Sequence, residues 1–165
     1  MENNIKLRKL DFKEETKIID VINQDDDLIN TFSGDRGIRS RLANSCYSAL
    51  IEKDGKSIGF VMIVNNHRTD INEIDMGVLK EHRGKGYGTE ALGILKDIIV
   101  ANGLEVEVQT KRKNIAAITS IVYNGFKLVR DDKEHYYYSI PEEDYRSKRW
   151  PENWLDKFIH KIKSS

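Results

Sequence analysis

Residues 73–93, EIDMGVLKEHRGKGYGTEALG, decide how this chain folds. Ile74, Met76 and Val78 alternate with Glu73, Asp75 and Gly77, the period-two pattern of a strand with one apolar face. Further on, Ala91, Leu92, Leu95, Ile98 and Ile99 share one face of an amphipathic helix. Between strand and helix lies the basic, glycine-rich turn Arg83-Gly84-Lys85-Gly86-Tyr87-Gly88-Thr89. Its glycines allow left-handed backbone angles and leave no side chain between amide and ligand. The helix that follows adds unpaired first-turn N–H groups and the positive end of its dipole, and Arg83 and Lys85 add full charges. A pyrophosphate is the natural occupant; a solvated basic turn is the plain alternative.

Two well-known phosphate loops fit poorly. A nucleotide P-loop needs GxxxxGK followed by Ser or Thr, which these glycines lack. A dinucleotide fingerprint needs GxGxxG early in a βαβ unit, whereas Gly84, Gly86 and Gly88 alternate after a region that reads as antiparallel. The arrangement Arg83-x-x-Gly86-x-Gly88, behind the strand EIDMGVL and ahead of a helix, resembles the acyl-CoA pyrophosphate loop of the GNAT superfamily of N-acetyltransferases. Asn114-Ile-Ala-Ala-Ile-Thr-Ser-Ile-Val-Tyr-Asn-Gly125-Phe126 resembles that family's second signature, an Asn opening the next helix and Gly-Phe ending it. The resemblance covers roughly residues 47–140 and extends to the N-terminal part by pattern only.

Working outward toward the N-terminus, residues 73–79 are preceded by a meander. Runs at 47–52 and 57–64 flank Asp54-Gly55, a strong hairpin signal, and a polar turn at 65–70 follows. Residues 5–12 alternate as a first strand. Ile18, Ile19 and Ile22 form a helical stripe that stops before Asp25-Asp26-Asp27, which reads as a solvated helix end or as an acidic lip attracting an amine. Residues 35–43 read as a short helix bearing Arg36, Arg39 and Arg41. Toward the C-terminus, Asn102-Gly103 stops the helix after the glycine loop, 104–110 alternates as a strand, and Asn114 caps a helix that Gly125 ends. Residues 126–130 and 135–140 form a closing pair of strands. Trp150, Trp154, Leu155, Phe158 and Ile162 then line one face of a terminal helix, read as docked on its own domain or as a dimer contact.

The 165 residues suit one domain with a real core, taken as about 5–140 with a helical extension over 141–165. Lys plus Arg, 27, equals Asp plus Glu, 27, so no bulk basic field recruits nucleic acid. No apolar run approaches the roughly 20 residues of a membrane span, and the N-terminus is not signal-like. The single Cys46 excludes an internal disulfide and any CxxC metal site; it reads as a buried or incidental thiol in a cytoplasmic protein.

The family resemblance implies more. The fold is α/β (α+β): a mixed, mostly antiparallel, twisted sheet, split between its two central strands, with helices on both faces. Acetyl-CoA would enter the split, held by Met76, Gly77, Val78, Leu79, the loop residues Arg83, Gly84, Lys85, Gly86, Tyr87, Gly88 and Thr89, and Asn114. The amides of Gly77 and Val78 would stabilise the oxyanion of a direct transfer to a small-molecule or peptide amine. An alkylammonium near pKa ~10 must first lose its proton. Glu73, where many relatives carry a glutamate, is the first candidate for base and Asp75 the second. Arg36 and Arg39 can share a helix face and grip an acceptor carboxylate, favouring an amino acid or peptide N-terminus over a polyamine. Tyr137 is a candidate wall of the acceptor pocket. Ile121 stands where many relatives place the tyrosine that reprotonates CoA, so a catalytically idle acyl-CoA-binding module is the alternative.

Overall fold

The computed structural model describes residues 4–32 and 34–149, with the side chains of 34–36 and 147–149 outside the described set. Seven strands form one sheet in the order β1-β2-β3-β4-β5-β7-β6. They are β1 Ile5–Lys9, β2 Ser45–Lys53, β3 Lys56–Asn66, β4 Ile71–Val78, β5 Val106–Lys111, β6 Lys127–Asp131 and β7 His135–Ser139. The expected meander is present, because β2, β3 and β4 pair antiparallel in succession. The one parallel contact, β4 with β5, is made only by Asn72 opposite Val106 and Glu73 opposite Glu107. Beyond those pairs the two strands part, and β4 runs from Ile74 to Val78 with no ladder on that side.

Central strands buried on both faces read as continuous apolar runs, and β3 does so. Phe60, Met62 and Val64 pack under the N-terminal helices α1 Thr16–Ile22, α2 Asp26–Thr31 and α3 Gly34–Ala43. Val61 and Ile63 pack on the opposite face under α4 Tyr87–Ala101, together with Ala91, Leu92, Leu95 and Ile99. Ile121 of α5 Ile115–Tyr123 joins that second core, 3% exposed. A final helix, α6 Glu142–Arg149, lies against α4, and the Tyr145 hydroxyl donates to the Leu104 carbonyl. The helix expected over Trp150–Ile162 lies outside the described residues.

Three local expectations change. Asp25-Asp26-Asp27 is neither a loose helix end nor a free lip: it starts α2, with the Asp25 carboxylate capping the amides of Asp27 and Leu28. The strand expected from Leu104 begins at Val106, because the Leu104 amide still closes onto Ile99 at the end of α4. Cys46 is exposed, at an irregularity in the β2–β3 register. Among the described residues no helix is long and apolar enough to cross a membrane.

The close approach of β3 and β4 depends on glycine. A Cβ on Gly59 would stand 2.3 Å from the Gly77 carbonyl oxygen, which is backbone and cannot rotate aside. On Gly77 it would stand 2.7 Å from Leu28 Cδ2 and 2.8 Å from Phe60 Cε1. Gly59→Ala is therefore expected to destabilise the protein by about 1–3 kcal/mol, the usual overpacking range, read as a lowered urea midpoint. Ser57→Ala on the same strand serves as control and should leave the midpoint within about 0.5 kcal/mol of the parent.

Candidate active site

The phase of β4 determines what its open edge presents. The Leu79 amide donates to the Ile58 carbonyl of β3 at 2.8 Å. Successive backbone N–H groups of a strand point to opposite edges, so residues 73, 75 and 77 turn their amides toward β3 and residues 74, 76 and 78 toward the gap. Of the two amides expected at the oxyanion, Val78 faces the gap and Gly77 does not. The Val78 carbonyl, on the same edge, accepts from Arg83 Nε at 2.8 Å.

Arg83 does not end in open solvent. Its Nη2 reaches Asp25 Oδ2 at 2.7 Å and its Nη1 reaches Asp27 Oδ2 at 3.0 Å. Asp25 Oδ2 also accepts the Lys80 amide at 2.9 Å. The guanidinium thus anchors the glycine loop to α2, and Gly84, Lys85 and Gly86 are exposed. Gly84 and Gly86 hold φ values of 74° and 83°, the left-handed region favouring glycine, and Gly86 opens α4 with no side-chain cap. A Cβ on Gly88 would lie 3.5 Å from Val78 Cγ2 and 4.0 Å from Met76 Cε, so the first turn of α4 rests on the apolar face of β4. Thr89 Oγ1 is 2.5 Å from Ser120 Oγ of α5, and the Thr89 carbonyl accepts from Asn124 Nδ2 at 3.0 Å. Lys53 Nζ stands 5.5 Å from the Tyr87 ring centroid, and Leu79 is buried in the N-terminal core. Asn114 Oδ1 caps α5 through the Ala117 amide.

The other face of β4 carries the charges. Arg41 of α3 forks onto Asp75, Nε bonding Oδ2 and Nη2 bonding Oδ1 at 3.1 Å, while Nη2 also reaches Glu73 Oε1 at 3.3 Å. Burial lifts the Asp75 carboxyl above the usual carboxylate range, the neighbouring Glu73 charge adds to this, and Arg41 pulls the other way. Across the gap, Glu107 pairs with Arg130 at 2.6 Å, and that guanidinium lies 4.3 Å from the Tyr137 ring centroid. The Tyr137 hydroxyl donates to Asp132 at 2.9 Å. Asp132, held chiefly by the Glu134 amide and then by Tyr137, falls to about 2.

The structure therefore brings Glu73, Asp75 and Gly77 onto one face and sets Met76 and Val78 on the other, beneath α4. Arg39 is exposed on α3, and the side chain of Arg36 lies outside the described residues. The arginine that reaches β4 is Arg41, which the pairing of Arg36 with Arg39 passed over. Glu107 and Arg130 were missed too; their only signal was charge in strands whose register the sequence does not state. Tyr123 is 80% exposed and Ile121 buried, so neither supplies an acid to the gap. Among the described residues no group of three His, Cys, Asp or Glu side chains could hold a metal ion.

The family model described as "Acetyltransferase (GNAT) family" matches residues 8–120. Among solved structures, the chain is similar to RimL, a ribosomal L7/L12 alpha-N-protein acetyltransferase in complex with coenzyme A. That match has TM-score 0.63 and 13% identity, covering 84% of this chain and 94% of that one. It is similar to a dodecameric spermidine N-acetyltransferase from Vibrio cholerae at TM-score 0.62 and 16% identity, covering 87% and 97%. A GNAT-family acetyltransferase from Bacillus anthracis gives TM-score 0.66 at 18% identity, covering 87% and 98%. At such identities these likenesses speak for the fold alone. No curated protein matches the chain.

Asp25 allows a test of the anchor. Burial alone would raise its carboxyl, but the Lys80, Leu28 and Asp27 amides and the Arg83 charge outweigh that and hold it below the ordinary range. A depressed folded value contributes stability that is complete above the unfolded value near ~3.9 and is lost as pH falls through the folded one. Asp25→Asn, which keeps a capping oxygen but removes the charge facing Arg83, should lower the urea midpoint at pH 7. The gap between variant and parent should narrow below about pH 4. An equal gap at both pH values would refute the anchor's ionic part.

Proposed function

The chain belongs to the GNAT family of acetyltransferases, and we propose that it transfers acetyl from acetyl-CoA directly to a primary amine, with Glu73 taking the amine's proton. The thioester supplies an activated acyl group; the chain's residues supply binding, alignment and proton removal. The open edge of β4 is the observation that carries this reading. Among the described residues it leaves the N–H groups of Met76 and Val78 without ladder partners, so an extended ligand arm can complete the sheet there as an added strand would. The exposed amides of the glycine loop, at the start of α4, suit the pyrophosphate end of such a ligand. The Val78 amide is the donor placed for the oxyanion.

Glu73 is preferred to Asp75 on geometry. Both Asp75 oxygens are occupied by Arg41, whereas among the described residues only Oε1 of Glu73 has a partner. Oε2 is free to accept a proton, directly or through a water. As the amine nitrogen bonds to the acyl carbon, the carbon–sulfur bond breaks and the sulfur leaves as thiolate, which solvent can protonate. The acceptor class we take is an amine beside a carboxylate, an amino acid or peptide N-terminus, on the ground that Arg36 and Arg39 lie three residues apart in α3. A polyamine is the competing class, and buried Ile121 favours the idle-module alternative.

Thiol release from acetyl-CoA, followed with an amino acid and with its decarboxylated amine at equal concentration, tests both activity and acceptor class. Faster release with the amino acid is expected, and CoA binding without release from any amine would support the idle module. With the acceptor so found, Glu73→Gln should lower kcat by on the order of 10²–10⁴-fold while leaving CoA affinity intact. For the loop, Gly86→Val forces a β-branched residue to φ near 83°. At about 1–3 kcal/mol of backbone strain it should weaken CoA binding by on the order of 10- to 100-fold. Unchanged affinity by calorimetry would remove the loop from the site.

A further inference from the structure

We infer that Arg41 of α3 is a positioning residue for proton removal: it fixes the Glu73 carboxylate at the open edge of β4 and sets one positive charge against both Glu73 and Asp75, linking the helix that covers the site to the strand that does the chemistry. The inference rests on the proposed role of Glu73. Three observations carry it. Arg41 comes from a separate element, far along the chain from β4, and engages both carboxylates with one guanidinium. The fork takes both Asp75 oxygens but one Glu73 oxygen, so the second Glu73 oxygen is left open on a side chain that is held in place. The Arg41, Glu73 and Asp75 side chains are 34%, 23% and 14% exposed, which limits solvent screening of the contact.

The surroundings sharpen the electrostatic argument. On the β3 side, the residues opposite Glu73 and Asp75 are Val64 and Met62, which offer no charge. On the β5 side, Glu73 faces Glu107, a like charge whose own cation is Arg130. Without Arg41, Glu73 and Asp75 would stand two residues apart on one face, next to Glu107, and the remaining cation, Arg130, bonds Glu107 and acts on Glu73 only through its charge. Closely spaced carboxylates in that setting retain protons to higher pH and titrate as a group. A proton on the pair removes the base. The guanidinium opposes this, and its planar fork also fixes direction, which a flexible ammonium does less well.

The test measures kcat/KM against pH for the parent, Arg41→Gln, Arg41→Lys and Glu73→Gln with one acceptor, so that the acceptor's own titration is common to all. Arg41→Gln should move the acid limb to higher pH, lowering kcat/KM on that limb by on the order of tenfold or more. KM and Kd for acetyl-CoA should stay at the parent's values. Arg41→Lys, which keeps the charge and loses the fork, should return the limb toward the parent's position while kcat stays reduced. A limb that overlays the parent's in Arg41→Gln, with Glu73→Gln inactive, overturns the role of Arg41 and leaves that of Glu73 standing. Full activity in Glu73→Gln overturns both.

Discussion

The open edge of β4 is the constraint on which the rest of the structure depends. A strand in the middle of a sheet ordinarily has both rows of backbone groups paired, and leaving one row unpaired away from water costs free energy for each group. Here β5 leaves β4 after two residue pairs, and the stretch of β4 beyond them, with the Met76 and Val78 amides on its open edge, has no neighbouring strand among the described residues in the centre of a seven-stranded sheet. Neighbouring elements manage that edge without closing it. Arg83 caps the Val78 carbonyl at its far end, α4 rests on Met76 and Val78 on one side, and α3 reaches Glu73 and Asp75 on the other. A groove with backbone donors along its wall and carboxylates on one face suits an extended acyl carrier meeting an amine.

The glycine loop shows how positive charge near a phosphate site divides its work. Arg83 looks from sequence like a ligand to phosphate, yet its guanidinium satisfies two aspartates and a carbonyl. A buried carboxylate such as Asp25 requires a cation and several donors, and it obtains them from Arg83, from Lys80 and from its own helix. The contact staples α2 to the loop. Lys85 beside it is exposed.

Charge on the acceptor face follows the same economy. Glu73 and Glu107 oppose each other across the last β4–β5 pair, and directly opposed like charges destabilise a sheet. Arg41 from one side and Arg130 from the other relieve the repulsion, each coming from a different element. Arg130 is fixed in turn by the Tyr137 ring, whose hydroxyl is tied to Asp132. Two adjacent carboxylates, Glu73 and Glu107, thus span the two halves of the split sheet with a guanidinium at each end.

Local pattern alone determined the strands, the helices other than α2, the hairpin at Asp54-Gly55, the cap at Asn114 and the glycine loop, because each is written in neighbouring residues whose periodicity or turn chemistry has a direct backbone consequence. With the order of those elements it also carried the resemblance to the family. Tertiary structure decided everything that depends on register or on which face of a helix docks. The phase of β4, and so the choice of Val78 over Gly77 as amide donor, follows from one hydrogen bond to β3. Arg41 reaches the strand and Arg39 is exposed because the rotation of α3 is set by burial of Ile38 and Leu42, which no arginine spacing reveals. Asp25 looked like one of three interchangeable acids; only the packing of α2 against the loop made it a buried anchor, since burial and partners are properties of the assembled chain.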